Sequence, residues 1–265
     1  MEEIKVGSVV SRNSYGNDID FIVSEIKDGI AILKGVNIRL IADAPLEDLK
    51  LEEDRIDKEV EEEFFQIFKT DYEINKDSEY FIIPGKVLHF DGDIKYLKRC
   101  LAFYEKLNVP CYGIAIREMD IKNYVGYYLN LIKPNILVIT GHDSYNKKSE
   151  DIRSLESYKN SRYFVEGILE ARKYRSNYHD LIIIAGACQS NYEALMNAGA
   201  NFASSPERVN IHSLDPAYIA TTISYTRYNQ EINLRKIINE TKYKEQGIGG
   251  IETRGTLYRG YPNSV

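Results

Sequence analysis

The sequence predicts an α/β protein whose main part is a mostly parallel sheet with helices on both faces, preceded by a small SH3-like β-barrel. Three observations carry this. From Glu79 onward, near-continuously apolar runs alternate with segments of helical period, which is the pattern of βα units whose strands are buried on both faces. Residues 4–50 instead hold short runs rich in Val and Ile, broken by turn signals such as Asp28-Gly29. Between the two textures, Glu52 to Glu73 carries ten acids and three bases, the composition of a solvated helical connector. The expected division is a β-barrel module over 1–50, an acidic helical linker over 51–78 and the α/β domain over 79–265.

In order, the barrel strands are read from VGSVVSR, IDFIVSEI, IAILKGV and NIRLIAD. In the linker, Phe64, Phe65 and Phe68 supply one apolar side to pack. The sheet strands lie in YFIIPGKVLHF, VPCYGIAI, NILVIT, LIIIAG and ANFAS. Helices are read in IKYLKRCLAFYEKL, with apolar Ile94, Leu97, Leu101 and Tyr104, in MDIKNYVGYYLNLI, in YFVEGILEARKY, and in NYEALMNAG, closed by Gly199. Asp215-Pro216 reads as an N-cap followed by proline at the first helical position. The tail GIGGIETRG lacks the strand-turn-helix setting and lysine of a phosphate loop and reads as an irregular segment near the cleft, with Arg254 and Arg259 as contacts or cleavage points.

Charge and cysteine usage exclude several classes. The net charge of -6 comes from the connector, since the remaining chain sums to about +1, and no basic face for nucleic acid stands out. No apolar run approaches the ~18 residues of a membrane span, and the acidic N-terminus reads as no secretory signal, so cytoplasmic synthesis is expected. Cys100, Cys111 and Cys188 form neither an even disulfide framework nor a CxxC pair, and no histidine pair has metal-ligand spacing. Neither metal nor cofactor is expected.

In open parallel sheets ligands bind beyond the carboxyl ends of the strands. Two such ends carry chemistry: NILVIT runs into Gly141-His142-Asp143, and LIIIAG runs into Ala187-Cys188-Gln189-Ser190. A thiol at a strand-to-helix corner, flanked by small residues, is expected to be exposed and to have a lowered pKa, and an imidazole in the same crevice would move its proton. The ordinary alternatives are a buried cysteine at a tight turn and a capping histidine. Cys100 and Cys111 read as core, while His89 can line the crevice.

The blocks ILVITGHD and IIIAGACQS resemble those of caspase-like cysteine peptidases, which include legumain, clostripain, gingipain and separase. More closely, LIADAPLEDL, LHFDGD, GACQSNYEAL, AGANFASSPERVNIHSLDP and GIGGIETRGTL resemble the YabG family of sporulation-specific peptidases, over nearly the whole chain. The resemblance implies a caspase-like sheet and a cysteine endopeptidase with Cys188 as nucleophile and His142 as proton carrier. Its substrates would be proteins of the spore coat or cortex, met in the mother-cell cytoplasm, with association with the coat and homo-oligomer formation left open. Caspase-like enzymes have Gly after the His, where this chain has Asp143, so the amides of Asp143 and Cys188 are the expected oxyanion donors and the former is the less secure.

The same resemblance implies a deep pocket for one side chain, built from the end of the first strand and from the segment after the strand that follows the nucleophile. Those segments supply Asp91 and Asp93, and Glu207 with Asp215. Acids there suit Arg first and Lys second, because a carboxylate pairs with a guanidinium in a directional way. Asp91-Gly92-Asp93 also fits a turn and helix cap. Self-cleavage after Arg or Lys is expected in an exposed loop. Two other classes remain: an amidase or glutamine-amidotransferase-like hydrolase, which would place its His downstream of the Cys, and a non-enzymatic spore-layer scaffold.

Overall fold

The computed structural model describes residues 3–53, 58–71, 79–149 and 151–263, so parts of the expected 51–78 linker lie outside the described residues. Its N-terminal part is an antiparallel sheet of β1 (Val9–Arg12), β2 (Phe21–Lys27), β3 (Ile30–Gly35), β4 (Ile41–Pro45) and β5 (Leu49–Leu51), in the order β4-β3-β2-β1-β5. Alternation buries Phe21, Val23, Ala31 and Leu33. Asp28 and Gly29, both at positive φ, make the tight β2–β3 turn that right-handed strand twist favours. β4 and β5 end the pairing order as edges, and β5, three residues long, is too short to be read from its pattern.

One expected strand is broken. NIRLIAD does not run as a unit: the ladder with β3 begins only where Ile41 pairs with Lys34, and residues 36–40 project as the tip of the β3–β4 hairpin. Gly35 closes this tip by donating its N–H to the Leu40 carbonyl at 2.9 Å. A Cβ on Gly35 would lie 2.4 Å from the Ile38 carbonyl oxygen, so the bend requires glycine.

The rest of the chain runs through α1 (Lys58–Asp71), β6 (Phe81–Ile83), β7 (Val87–Asp91), α2 (Ile94–Lys106), β8 (Cys111–Ala115), α3 (Ile121–Ile132) and β9 (Ile136–Thr140). It continues with α4 (Ser161–Tyr174), β10 (Ile182–Ala185), α5 (Tyr192–Ala198), β11 (Phe202–Ser204), α6 (Asp215–Tyr225), α7 (Leu234–Asn239), α8 (Lys244–Gly247), β12 (Ile248–Gly250) and β13 (Tyr258–Gly260). Six strands form the main sheet in the order β12-β11-β10-β9-β7-β8, parallel throughout except for β12, and β13 pairs separately with β6. The strands are apolar on both sides because both sides are covered. Leu88, Phe90, Leu137, Ile139 and Ile183 pack with the apolar residues of α3, α4 and α5, while Val87, Ile136, Val138, Ile182 and Ile184 pack with those of α2 and α6.

The acidic helix α1 docks through its phenylalanines. Phe64 stacks on Tyr218 of α6 at 4.8 Å between centroids, Phe68 meets Tyr225 edge-on at 5.3 Å, and Lys106 lies over Phe65.

Three local expectations change. GIGGIETRG is not irregular throughout: Ile248–Gly250 adds β12 antiparallel to β11, and a Cβ on Gly249 or Gly250 would lie 2.5 Å from Tyr192 or Phe202, so the close approach selects glycine. Asp215 is the first residue of α6 and not its side-chain cap; its oxygens accept the N–H groups of His212 and Lys242 at 2.8 and 3.1 Å. Ile94, at the first turn of α2, is exposed, whereas Cys100 lies in the core as expected. Among the described residues no helix is long and apolar enough to cross a membrane.

Candidate active site

β7, β9 and β10 are neighbours in parallel, with Asp91 aligned to Thr140 and Ile139 to Ala185, so the residues after them leave the sheet at one edge. Asp91, His142, Asp143 and Cys188 therefore all lie at or just beyond that edge, where ligands bind in open parallel sheets. Into the same edge comes the hairpin tip of the N-terminal sheet. Ile38 bridges His212 antiparallel and Leu40 bridges Asp143 in parallel, so residues 37–41 lie as an extended strand between the His142 loop and the 211–213 segment.

Arg39 is the centre of this arrangement, and nothing in its local sequence marks it. Its side chain is fully buried. Nη1 donates to Asp91 Oδ2 at 2.7 Å, and Nη2 and Nε donate to the Ser213 carbonyl at 2.9 and 3.3 Å. Nη2 also faces Cys100 Sγ at 3.6 Å, and the guanidinium lies 5.0 Å from the Tyr96 ring centre. Burial alone would raise the Asp91 pKa, but the adjacent guanidinium holds its carboxyl well below the usual carboxylate range. Thr140 Oγ1 donates to the same Asp91 oxygen at 3.1 Å, while Asp91 Oδ1 accepts the Asp93 N–H. Behind them His89 is fully buried, bonds Thr140 and Tyr104 and has its pKa lowered by burial, so it supports Thr140 from within the core instead of lining the crevice.

The other expected acids take different positions. Asp93 caps α2 by accepting from the Lys95 N–H at 2.8 Å; its second oxygen faces Lys34 Nζ at 3.5 Å and His142 Nε2 at 4.0 Å. Glu207 is exposed in the turn after β11, and among the described contacts it shares none with Arg39 or Asp91. Buried Asp215 is pushed up to about 7 by desolvation.

Cys188 departs from the expectation of an exposed, acidic thiol. It is completely buried, and α5 begins four residues later, at Tyr192, so the sulfur does not sit at the helix terminus. Burial pushes the thiol up to about 12, against the N–H groups of Ile211, at 3.2 Å, and of Arg39, which both donate to the sulfur. The hairpin tip, at Arg39, and the 211–213 segment, at Ile211, both lie against the sulfur.

His142 is also buried, stacked 5.2 Å from the Tyr96 ring, and neither ring nitrogen has a hydrogen-bond partner. Burial, with Lys34 nearby, lowers its pKa to about 4, so the ring is neutral at pH 7. Its backbone N–H donates to Glu118 Oε1 at 2.9 Å, and a Cβ on Gly141 would lie 2.4 Å from that same oxygen. His142 borders a cleft of about 390 Å³ that Lys34, Glu118, Lys159 and Tyr163 also line.

Asp143 separates its two halves. Its backbone N–H points at the Arg39 carbonyl at 3.4 Å. Its carboxylate turns away from the imidazole and accepts from the N–H groups of Ser144 and Asn160 and the hydroxyls of Ser161 and Ser190. Burial pushes this carboxyl up to about 6 despite those four donors. It ties the His loop to α4 and to the Cys188 turn. Ser190 supplies one of those ties, donating to Asp143 Oδ2 at 2.9 Å, and also accepts the Ala187 N–H at 3.0 Å. Sequence reasoning also passes over Tyr96, Glu118 and Ser213, whose roles arise from long-range packing.

Arg39 thus has its side chain on the Asp91 carboxylate, its carbonyl at the Asp143 N–H and its own N–H at the Cys188 sulfur, while the neutral His142 ring lies against Tyr96. Two comparisons with known proteins place the chain in a peptidase family. A family model described as YabG peptidase U57 matches residues 5–262. A sporulation-specific protease YabG of Bacillus subtilis (strain 168) is 42% identical over 285 residues, covering 98% of each chain.

Proposed function

Since the chain belongs to the YabG peptidase U57 family, and so to a family of sporulation proteases, we propose that it is a cysteine endopeptidase that cleaves after arginine. The observation that carries this reading is Arg39, seated against Asp91 with its carbonyl directed at the Asp143 N–H and its own N–H at Cys188. A substrate arginine in that place would have its scissile carbonyl between the thiol and the backbone donors.

In the reaction Cys188 Sγ attacks the carbonyl carbon and its proton passes to His142. The N–H groups of Asp143 and Cys188 hold the developing oxyanion. Collapse breaks the C–N bond, His142 returns the proton to the leaving amine, and a thioester remains. Water, deprotonated by His142, then releases the acid and restores the thiol. The carboxylate of Asp143 positions the loop and does not touch the ring. Arginine is favoured over lysine because the pocket offers the Asp91 carboxylate and the Ser213 carbonyl to separate nitrogens of one planar fork.

In this reading the N-terminal sheet is a small SH3-like barrel, residues 79–265 are a caspase-like peptidase domain, and the 51–78 stretch is the connector. Substrates are proteins of the spore coat or cortex in the mother cell, and self-cleavage occurs at Arg39-Leu40, a buried hairpin tip, in place of an exposed loop. Incubation with a mixed peptide library tests the assignment. Cleavage after Arg by the Arg39→Ala chain, whose Asp91 pocket holds no internal arginine, is expected, and is lost when Cys188→Ala is added; cleavage retained with Cys188→Ala overturns it.

A further inference from the structure

We propose that the β3–β4 hairpin tip is a tethered inhibitor: residues 36–40 fill the substrate groove, Arg39 plugs the pocket, and the cleft is closed to other substrates while the tip is seated. The inference deepens the peptidase reading of the same cleft and rests on it.

The tip is held along its whole length. Tyr96 donates its hydroxyl to the Ile38 carbonyl at 2.7 Å with the Gly35 carbonyl also against it, and Arg99 Nη1 donates to the Val36 carbonyl at 3.2 Å. The Asn37 carbonyl accepts the Ser213 N–H at 2.9 Å, and the Ile41 N–H donates to the Asp143 carbonyl at 3.4 Å. An extended peptide that pairs its backbone with groove edges on both sides and places one side chain in a pocket is bound in the way substrates add to an open edge. The flanking Ile38 and Leu40, both buried, indicate that the groove accepts aliphatic residues on either side of the arginine.

The seat excludes competitors in two ways. It sets the Arg39 N–H against the Cys188 sulfur, which is completely buried while the tip is seated. It is also intramolecular, so its effective concentration is on the order of mM, above that of any dilute protein substrate. Scission of Arg39-Leu40 would not by itself free the groove. Both new ends remain anchored, one in β3 and one in β4, which stay paired from Ile30 with Pro45 to Lys34 with Ile41. A cut product that cannot leave is poised for resynthesis, so opening requires the hairpin to lift away.

The test is alkylation of Cys188 by iodoacetamide in the full chain, read by peptide mass in a His142→Ala background that prevents scission. Chains with Arg39, Arg39→Lys and Arg39→Ala are compared; Lys keeps a cation on Asp91, so that variant decides the matter if Arg39→Ala does not fold. Slow labelling with Arg39, faster with Lys and at least tenfold faster with Ala is expected. Equal rates in all folded chains overturn the proposal. In the His142 chains, a fluorogenic arginyl peptide supplies the second readout. Faster labelling without peptide cleavage in any chain leaves the inhibitor standing and overturns the peptidase reading. Full-rate peptide cleavage by a chain whose Arg39 tip is intact overturns the inhibitor and leaves the peptidase.

Discussion

Arg39 Nη1 lies 2.7 Å from Asp91 Oδ2, with both side chains fully buried, and this ion pair joins a hairpin of the N-terminal sheet to the first long strand of the parallel sheet. Removing one partner of such a pair leaves an uncompensated charge in the interior. Arg39→Met and Asp91→Asn are each expected to destabilise the chain by about 3–5 kcal/mol, and the double variant by much less than their sum. Urea unfolding of the four chains measures the coupling; additive losses would mean the pair is not formed.

The catalytic assignment predicts unequal losses. Cys188→Ala removes the nucleophile and is expected to abolish turnover of an arginyl peptide, whereas His142→Ala removes proton transfer, worth on the order of 10²–10⁴-fold. Circular dichroism of both variants should match that of the native chain. An undiminished kcat in either excludes that residue from the chemistry.

Self-cleavage should begin at the seated arginine. Incubated native chain is expected to yield a fragment with Leu40 at its N-terminus, and Arg39→Ala should lose that cut. N-terminal sequencing after denaturation checks it, since the nicked hairpin stays assembled without denaturant; first cuts elsewhere would separate the seated arginine from the self-cleavage reaction.

Acid stability should follow the buried histidines. Burial lowers His142 to about 4 and His212 to about 3, with Lys34, Asp93, Asp91 and Arg39 acting on the former. In the unfolded chain each binds a proton below about 6.5. The stability contributed by the neutral rings is therefore present above pH 6.5 and is lost as pH falls through the folded values. His142→Gln is expected to flatten the slope between pH 6.5 and 4 by up to about 1.4 kcal/mol per pH unit. Asp143, pushed up to about 6, and Asp215, pushed up to about 7, work in the opposite sense, their contributions being lost as pH rises through those values, so the His142 effect is read as a difference between the two chains. An unchanged slope in His142→Gln would show that the ring is not held neutral by the fold.

The acidic helix should depend on one ring. Phe64 is buried against Tyr218 and His212, so Phe64→Ala is expected to cost about 3–5 kcal/mol in urea unfolding, while Phe65→Ala, half-buried under Lys106, costs less. Equal effects would place the helix's apolar contact elsewhere.

Local pattern alone determined the parallel sheet, the helices on its two faces and the strand ends that carry Asp91, His142 and Cys188, because burial on both faces writes near-continuous apolar runs whose ends are visible. It also placed Cys100 in the core, where the structure buries it. Tertiary structure decided the rest. Arg39 sits in an ordinary strand-like run, and its insertion 52 residues away in sequence against Asp91 depends on how two sheets meet. That meeting buried a thiol expected to be exposed and broke NIRLIAD at Ile41. The division of Asp143 into a backbone donor and a structural carboxylate, and the exposure of Glu207, likewise follow from side-chain directions set by long-range packing, which residue spacing does not encode.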